Sequence, residues 1–244
     1  IVAVPTTAGT GSELSKAAIL SDGDKKIKKG LRGRHLFPAV AIVDSAFTET
    51  VPFAVTMETG FDVLAHAVES YISKAASPYT AMLSKEAARI VGENLPALAK
   101  NLADSTVRER MSYASMIMGI NLGNASTCLP HRMQYPVGAH TNTSHGAGLA
   151  ALYSSWLYYE ADVSAEKLRE LMALLGYPDC KTKDDILSAF ASFMASLKLP
   201  SSLREIGVTA DQFGVFCGEV SGSIANDPAS AQSDVIQRIY QRAF

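Results

Sequence analysis

Residues 59–70 read TGFDVLAHAVES and contain the most informative pair of residues in the chain. Asp62 and His66 are four residues apart, so a helix places them one above the other on the same face. Glu69 continues that face at the next turn, and Thr59 is the expected N-cap. A carboxylate and an imidazole on one helical face can bind the same metal ion. We therefore predict a helix that carries two metal ligands.

A second segment, residues 128–149, reads CLPHRMQYPVGAHTNTSHGAGL and supplies His131 and His145. Its Pro and Gly residues are turn signals, so we expect a loop that folds back toward the helix. One carboxylate and three imidazoles suit Fe²⁺ or Zn²⁺ and leave room for a substrate oxygen. A histidine on an apolar helix is more often a hydrogen-bonded core residue. Four of the five histidines nevertheless fall in these two segments, which favours a metal site over that alternative. His35 is expected to be an ordinary loop residue.

The pattern of the chain changes near Pro52. Before it, the β-branched runs IVAV and VAIV predict short strands, and the first of these is expected to be buried from Ile1 onward. After it, apolar residues at helical spacing predict further helices. Their expected ranges are 78–102, 106–122, 145–158, 163–175, 183–198, 209–221 and 228–242.

Composition narrows the function classes. The chain has 244 residues, 48% of them hydrophobic and 19% charged, with a net charge of −2. No apolar run approaches the roughly 20 residues that span a bilayer, so we expect a cytoplasmic protein without a membrane partner. The basic run KKIKK at 25–29 predicts a solvated hairpin or turn and does not indicate nucleic acid. The three cysteines form no C-x-x-C pair and are expected to be incidental thiols, Cys128 being the one nearest the site.

Four segments, in this order and spacing, resemble the iron-containing (group III) alcohol dehydrogenases. They are IVAVPTTAGTGSELS at 1–15, VAIVDSAFTETVP at 40–52, TGFDVLAHAVESYIS at 59–73, and the H-x13-H segment that ends in SHGAGLAALY at 144–153. The resemblance implies metal ligands at Asp62, His66, His131 and His145. It also implies hydride transfer between NAD or NADP and a small-molecule alcohol or aldehyde, with Fe²⁺ or Zn²⁺ polarising the substrate oxygen.

The resemblance implies a mainly α fold in two parts. Residues 1–55 would be the last strands of an incomplete α/β, Rossmann-like nucleotide-binding domain, and residues 56–244 an all-helical metal-binding domain. The chain contains no glycine-rich strand-to-helix turn of the kind that holds a pyrophosphate, so we expect it to be the later part of a longer protein. On its own it should bind metal but turn over slowly or not at all. The family also makes a homodimer an expectation.

The segment PTTAGTGSE at 5–13 is rich in hydroxyls and glycine, so a ligand can approach its backbone closely. By resemblance this region contacts the dinucleotide. The implied cofactor-binding residues are Thr6, Thr7, Thr10, Ser15, Lys28 and Phe47.

One departure from the family lies between the last two ligands. Many members carry a histidine four residues after the third ligand, where it can shuttle a proton, and this chain has Tyr135 there. The candidates for proton transfer are Tyr135 itself, His140, and a water chain from the cofactor ribose. A phenol with its ordinary pKa near 10 is a poor base at neutral pH, and Tyr135 as a packing residue is an equal alternative.

Arg132 directly follows a ligand and could hold an anionic substrate by two parallel hydrogen bonds, or point away into a salt bridge. The segment HRMQYPVGA is similar to the branch of the family associated with phosphonate metabolism, which implies phosphonoacetaldehyde as a substrate. Two other classes stay open: a dehydroquinate synthase-like lyase, which needs more Lys and Arg residues near the ligands, and a non-catalytic metal-binding fragment. Binding of NADH or NADPH separates a dehydrogenase from a bare metal-binding module.

Overall fold

A computed structural model describes residues 1–244, and helices dominate it. The helices are α1 Phe53–Ile72, α2 Pro78–Lys100, α3 Ser105–Leu122, α4 Leu129–Thr141, α5 His145–Glu160, α6 Ala165–Leu174, α7 Lys183–Leu197, α8 Phe213–Glu219 and α9 Val235–Arg242. The strands are β1 Val2–Ala3, β2 Ala17–Asp22, β3 Ile27–Arg32 and β4 Val40–Ala41. The predicted mainly α fold is confirmed. None of the helices has the length and apolar character needed to cross a membrane.

Helix α1 lies at the centre of the core, and every residue from Gly60 to Ile72 is buried. Phe61 packs edge-on against Tyr153 of α5, with ring centroids 5.2 Å apart. Tyr153 in turn contacts Trp156 and Phe190 of α7 at centroid distances of 4.9 and 5.5 Å. A polar side chain on such a helix loses its water and must find a partner inside the protein. The polar residues of α1 are therefore functional candidates.

The start of α1 corrects the prediction that Thr59 is its N-cap. The helix begins at Phe53, after Pro52 in an extended conformation, and Thr59 lies in its second turn. The Thr59 hydroxyl donates to the carbonyl of Val55 at 2.8 Å, a local bond that threonine forms readily inside helices. Helix α2 does begin with a local signal, since Ser77 forms a capping box with Thr80.

Helix α4 corrects the prediction of a loop between His131 and His145. It runs through Pro136 and ends at Asn142, which has a φ of 56°. Its first N–H groups are capped from distant parts of the chain. The Cys128 N–H donates to Glu69 Oε2 at 2.7 Å, and the Leu129 N–H donates to Asp227 Oδ2 at 2.9 Å. These two carboxylates replace the local cap that the sequence lacks.

The amino-terminal residues form two small sheets. Strands β1 and β4 pair in parallel, with Val2 opposite Val40, and β2 and β3 form an antiparallel hairpin. The basic run at 25–29 spans the turn and the start of β3, as predicted. The expectation of a buried first strand is wrong, because Ile1 and Val2 are 68% and 64% exposed. Strand β1 belongs to a sheet of only two short strands, and the exposure of these side chains shows that no layer covers them.

The last two helices are shorter than expected. The range 209–221 contains α8 from Phe213 to Glu219, preceded by a short 3₁₀ turn. The range 228–242 contains α9 from Val235 to Arg242, preceded by 3₁₀ turns. Asp227 lies between two of these turns and is fully buried. The carboxyl-terminal segment thus reaches the core through a carboxylate that caps α4.

Candidate metal centre

Three imidazoles, one from each of three helices, converge on one carboxylate oxygen of Asp62. Asp62 Oδ1 lies 3.6 Å from His66 Nε2, 3.3 Å from His131 Nε2 and 3.5 Å from His145 Nε2. Ligands at 2.0–2.2 Å around a tetrahedral metal ion are separated by about 3.3–3.6 Å. The ligand atoms of Asp62, His131 and His145 all lie within 4.8 Å of one another. The separations from Asp62 Oδ1 therefore match those of a metal site, although the group of three that are mutually this close does not include His66, the fourth predicted ligand.

Two polar atoms at the centre of this cluster lack hydrogen-bond partners. Asp62 Oδ1 and His131 Nε2 are buried and have no partner in hydrogen-bond geometry. Leaving a buried polar atom unpaired costs about 1–3 kcal/mol, and a charged one costs more. A divalent cation would engage both atoms at once. Because the donors are one carboxylate and three imidazoles, the residues present fit such an ion.

Burial and neighbouring charges shift the pKa values of the cluster residues in different directions. Burial alone would raise the pKa of Asp62, but the neighbouring His66 and His145 hold it well below the usual range. Burial lowers the pKa of His66 to about 3, against the attraction of Asp62. Burial also works to lower the pKa of His131, but the Glu69 carboxylate raises it to about 9. His131 must release its proton before Nε2 can bind a metal.

The cluster is open on one side. The side chains of Asp62, His66 and His131 are at most 7% exposed, whereas that of His145 is 34% exposed. Helix α5 brings His145 close to α1 because Gly146 lies against Glu58, where a Cβ would come within 2.5 Å of the Glu58 carbonyl oxygen. A substrate would therefore approach from the His145 side.

The second nitrogen of each imidazole has a different environment. His131 Nδ1 lies 2.7 Å from Glu69 Oε1, and His145 Nδ1 lies 2.7 Å from Gln134 Oε1. His66 Nδ1 has no hydrogen-bond partner. The sequence placed Glu69 on the metal-bearing face, but it gave no sign of Gln134. That residue reaches His145 only because residues 129–141 form a helix.

Comparison with known proteins identifies the family of the chain. The family model described as "Fe-containing alcohol dehydrogenase family, C-terminal" matches residues 56–244, and the model "Iron-containing alcohol dehydrogenase" matches residues 1–45. The chain belongs to the iron-containing alcohol dehydrogenase family. Enzymes of this family use NAD(P) and a divalent metal.

Individual relatives are longer than this chain. It is 37% identical over 213 residues to an aldehyde-alcohol dehydrogenase of Streptococcus pneumoniae, which covers 80% of this chain and 24% of that protein. A solved 1,3-propanediol oxidoreductase superimposes with a TM-score of 0.93 at 29% identity, covering 100% of this chain and 66% of the other. The sulfoacetaldehyde reductase of Bifidobacterium kashiwanohense, solved with NAD⁺, gives a TM-score of 0.87 at 26% identity, with 100% and 67% coverage. The chain spans less than two thirds of the first curated relatives that it matches.

Tyr135, the position at which the sequence departs from many family members, lies beside the open side of the cluster, and Arg132 contacts it. The Tyr135 ring is 6.5 Å from the His145 ring, centroid to centroid. Burial raises the pKa of Tyr135, so its phenol keeps its proton at neutral pH. Arg132 is only 7% exposed, and its Nη1 lies 3.4 Å from Tyr135 Oη. The structure thus places a phenol beside His145 and a guanidinium beside that phenol.

His140, the other proton-transfer candidate, lies elsewhere. It follows His131 by nine residues, which on a helix turns it to the opposite face. Its Nε2 is 2.9 Å from Glu219 Oε2 of α8, and its ring packs near Phe216. The structure therefore does not bring His140 to the cluster.

The residues implied to contact the cofactor lie along the amino-terminal loop and hairpin. Thr6 and Thr10 are exposed, Thr7 is half-buried, and the Ser15 hydroxyl accepts the Ala17 N–H at 3.2 Å. Phe47 is 50% exposed in a 3₁₀ turn.

Lys28 of β3 reaches helix α4. Its Nζ lies 2.6 Å from the point that a Cβ on Gly138 would occupy, and burial lowers its pKa. The hairpin is therefore packed against the helix that carries His131.

Cys128 lies at the start of α4 and is fully buried. Its Sγ donates to the Glu69 carbonyl at 3.3 Å, and burial raises the pKa of the thiol well above its usual range. A neutral buried thiol is not reactive. Cys128 therefore packs beneath the cluster and does not act as a nucleophile.

Proposed function

We propose that this chain is the metal-binding part of an NAD(P)-linked alcohol dehydrogenase or aldehyde reductase. Asp62, His66, His131 and His145 are the proposed ligands, and Fe²⁺ or Zn²⁺ is the proposed ion. The observation that carries the proposal is the convergence of three imidazoles on Asp62 Oδ1 at 3.3–3.6 Å. The family membership supports it independently.

The proposed reaction moves a hydride between a nicotinamide and a carbon atom that bears oxygen. A divalent metal, when bound, supplies the Lewis acidity that polarises this oxygen. The residues of the chain admit the substrate on the exposed His145 side and exclude water on the other sides. In aldehyde reduction Tyr135 would donate its phenolic proton to the product oxygen. We propose Tyr135 over His140 for this role because only Tyr135 lies beside a proposed ligand.

The cofactor is proposed to lie against residues 1–55, the nucleotide-binding part, with residues 56–244 forming the metal-binding part. The exposed hydroxyls of Thr6 and Thr10 are available to a ligand, as is the exposed ring of Phe47. Lys28 brings a cation to α4 beside Gly138.

The substrate is proposed to be anionic, because the buried side chain of Arg132 lacks a charged acceptor. Its Nη1 and Nη2 make only long contacts of 3.4 Å, to the hydroxyls of Tyr135 and Ser126, and its Nε has no partner. No carboxylate lies within salt-bridge distance of it. The other buried arginine, Arg108, donates instead to backbone carbonyls, including that of Thr48 at 2.6 Å. A buried guanidinium without an acceptor is costly, and an anionic substrate would supply one.

Phosphonoacetaldehyde is the substrate that we propose within this class. Its phosphonate would accept from Arg132 while its aldehyde reaches the cluster. A similar solved structure is that of a sulfoacetaldehyde reductase, whose named substrate is also a two-carbon aldehyde with an acidic head group. This likeness supports an anionic aldehyde without selecting phosphonate over sulfonate.

Two binding measurements test the proposed enzyme. Elemental analysis of protein purified without chelators should find about one iron or zinc per chain. Titration with NADH and NADPH, followed by nucleotide fluorescence, should show saturable binding of at least one of them. Metal without nucleotide binding would favour the alternative of a non-catalytic metal-binding fragment. Absence of metal would overturn the proposal.

A separate titration tests the anionic substrate without requiring turnover. Co²⁺-loaded chain would be titrated with 2-hydroxyethylphosphonate and with 1-propanol, and the visible absorption of the cobalt followed. Truncating one partner of a buried charge pair typically costs about 2–5 kcal/mol, so Arg132→Ala should weaken phosphonate binding by about 30-fold or more. Binding of 1-propanol should stay unchanged. An equal loss for both ligands, or no loss for the phosphonate, would refute the role of Arg132.

A further inference from the structure

We propose that Glu69 is a positioning residue that makes His131 the strongest of the three imidazole ligands. The inference rests on the metal centre proposed above and names a residue outside its ligand set. Glu69 would act through His131 Nδ1 and would not touch the metal or the substrate.

The placement of Glu69 is the first observation. It follows Asp62 by seven residues, which is two turns, so the two carboxylates share one face of α1. Its side chain is 0% exposed, and no Lys or Arg lies within salt-bridge distance of it. A buried carboxylate normally has such a cation or another compensating charge. The only ionisable partner of Glu69 is His131, at 2.7 Å.

The three imidazoles form a graded series. His131 Nδ1 contacts a carboxylate and His145 Nδ1 contacts the neutral amide of Gln134, whereas His66 Nδ1 forms no hydrogen bond of good geometry and has only the neutral backbone of Gly9 nearby. A carboxylate that accepts from the second nitrogen fixes the tautomer and orientation of a metal-ligating histidine and raises its basicity. His131 should therefore bind the ion more tightly than the other two.

Both oxygens of Glu69 are in use. Oε1 faces His131 Nδ1, and Oε2 accepts the Cys128 N–H at 2.7 Å. A glutamine has one acceptor oxygen, so Glu69→Gln must leave one of these two N–H groups without its partner. The substitution also removes the negative charge. It therefore tests Glu69 at nearly constant volume.

Asp227→Asn provides a matched control. Asp227 Oδ2 accepts the neighbouring Leu129 N–H at 2.9 Å and the Trp156 Nε1–H at 2.9 Å. It caps the same end of α4 but contacts no imidazole. A purely structural role for Glu69 would make the two variants behave alike.

The experiment measures Zn²⁺ affinity of the full chain by competition with a chromophoric chelator, alongside the visible spectrum of the Co²⁺ form and the apo-protein Tm. Loss of such an outer partner typically weakens metal binding about 10–100-fold, and we expect Glu69→Gln to do so and to alter the Co²⁺ spectrum. Asp227→Asn can place its amide oxygen at the position of Oδ2 and keep both bonds, so it should leave the Zn²⁺ affinity and the Co²⁺ spectrum unchanged. Equal Zn²⁺ affinities for parent and Glu69→Gln, or equal losses in both variants, would overturn the inference.

A second variant keeps the test decisive if Glu69→Gln does not fold. Gln134→Glu gives His145 the carboxylate partner that only His131 has, and it should tighten Zn²⁺ binding about tenfold or more. Unchanged affinity in that variant would refute the proposed effect of a carboxylate at this centre. Failure of the parent chain itself to bind Zn²⁺ or Co²⁺ would be a different result, because it would overturn the proposed metal centre.

Discussion

The contact between Gly119 of α3 and Gly11 of the amino-terminal loop offers a sharp test of how that loop is held. A Cβ added at Gly119 would lie 2.2 Å from the Gly11 carbonyl oxygen and 2.9 Å from the carbonyl carbon. Carbon–oxygen contacts of this kind lie at about 3.3 Å or more, so Gly119→Ala must separate the two backbones by about 1 Å. Both neighbours are backbone atoms, and no side-chain rotation can relieve the clash.

Two effects of opposite sign determine how much Gly119→Ala changes the free energy of unfolding. Overpacking costs about 1–3 kcal/mol, whereas Gly to Ala within a helix gains up to about 1 kcal/mol. Gly119→Ala should therefore lose up to about 2 kcal/mol of unfolding free energy. Gly218→Ala is the matched control, because a Cβ at Gly218 in α8 would meet nothing within 4 Å. That variant should be as stable as the parent or slightly more stable.

The assay combines urea denaturation of the parent and both variants with titration by NADH and by Zn²⁺. Displacing the loop should weaken NADH binding in Gly119→Ala only, because residues 5–13 are proposed to contact the cofactor. Zn²⁺ binding should persist, since the four proposed ligands lie outside that loop. A Gly119→Ala protein that matched Gly218→Ala in both stability and NADH affinity would show that this contact does not position the loop.

Three further predictions concern the centre and the core. His131→Ala with His145→Ala should abolish the bound metal found by elemental analysis, and retention of metal at the parent level would contradict the ligand assignment. Burial, with Asp227 nearby, raises the pKa of Glu160 from 4.5 to about 8, so the folded protein keeps a proton that the unfolded chain releases. Stability should therefore fall as the pH rises from about 4.5 to about 8. Glu160→Gln should flatten that slope in urea denaturation between pH 5 and 9, and an unchanged slope would refute the assignment to Glu160. Where turnover is measurable, Tyr135→Phe should slow aldehyde reduction by about 100-fold or more at unchanged metal content, and an unchanged rate would exclude Tyr135 as the proton donor.

The helices with local signals were predictable from the sequence. Helix α2 begins at the Ser77 capping box and α7 at the Thr182 capping box, and both lie within two residues of the predicted ranges. The candidate ligands on α1 were predictable for the same reason, because the spacing of Asp62 and His66 is a property of one helix. The start of α1 was not, since Thr59 resembles a cap but bonds back into its own helix.

Helix α4 could not be predicted because its capping groups are remote. Glu69 and Asp227, which accept its first N–H groups, lie 59 and 98 residues away in the sequence from their partners. Locally, the segment shows only Pro130 and Pro136, which signal turns and breaks. The contact of Gln134 with His145 could not be predicted either, because it depends on the formation of α4.

Because the capping groups of α4 come from Glu69 and Asp227, the formation of α4 is linked to the formation of the candidate site. Glu69 caps the helix through Oε2 and holds His131 through Oε1, so one buried carboxylate serves both backbone and imidazole. Helix α4 therefore gains its amino-terminal cap only when it docks on α1, and docking is also what brings His131 to Asp62. Asp227 extends the same unit to the carboxyl-terminal segment. We expect α1, α4 and the segment around Asp227 to unfold together, because removing any one of them leaves buried carboxylates or helix N–H groups unpaired in the others.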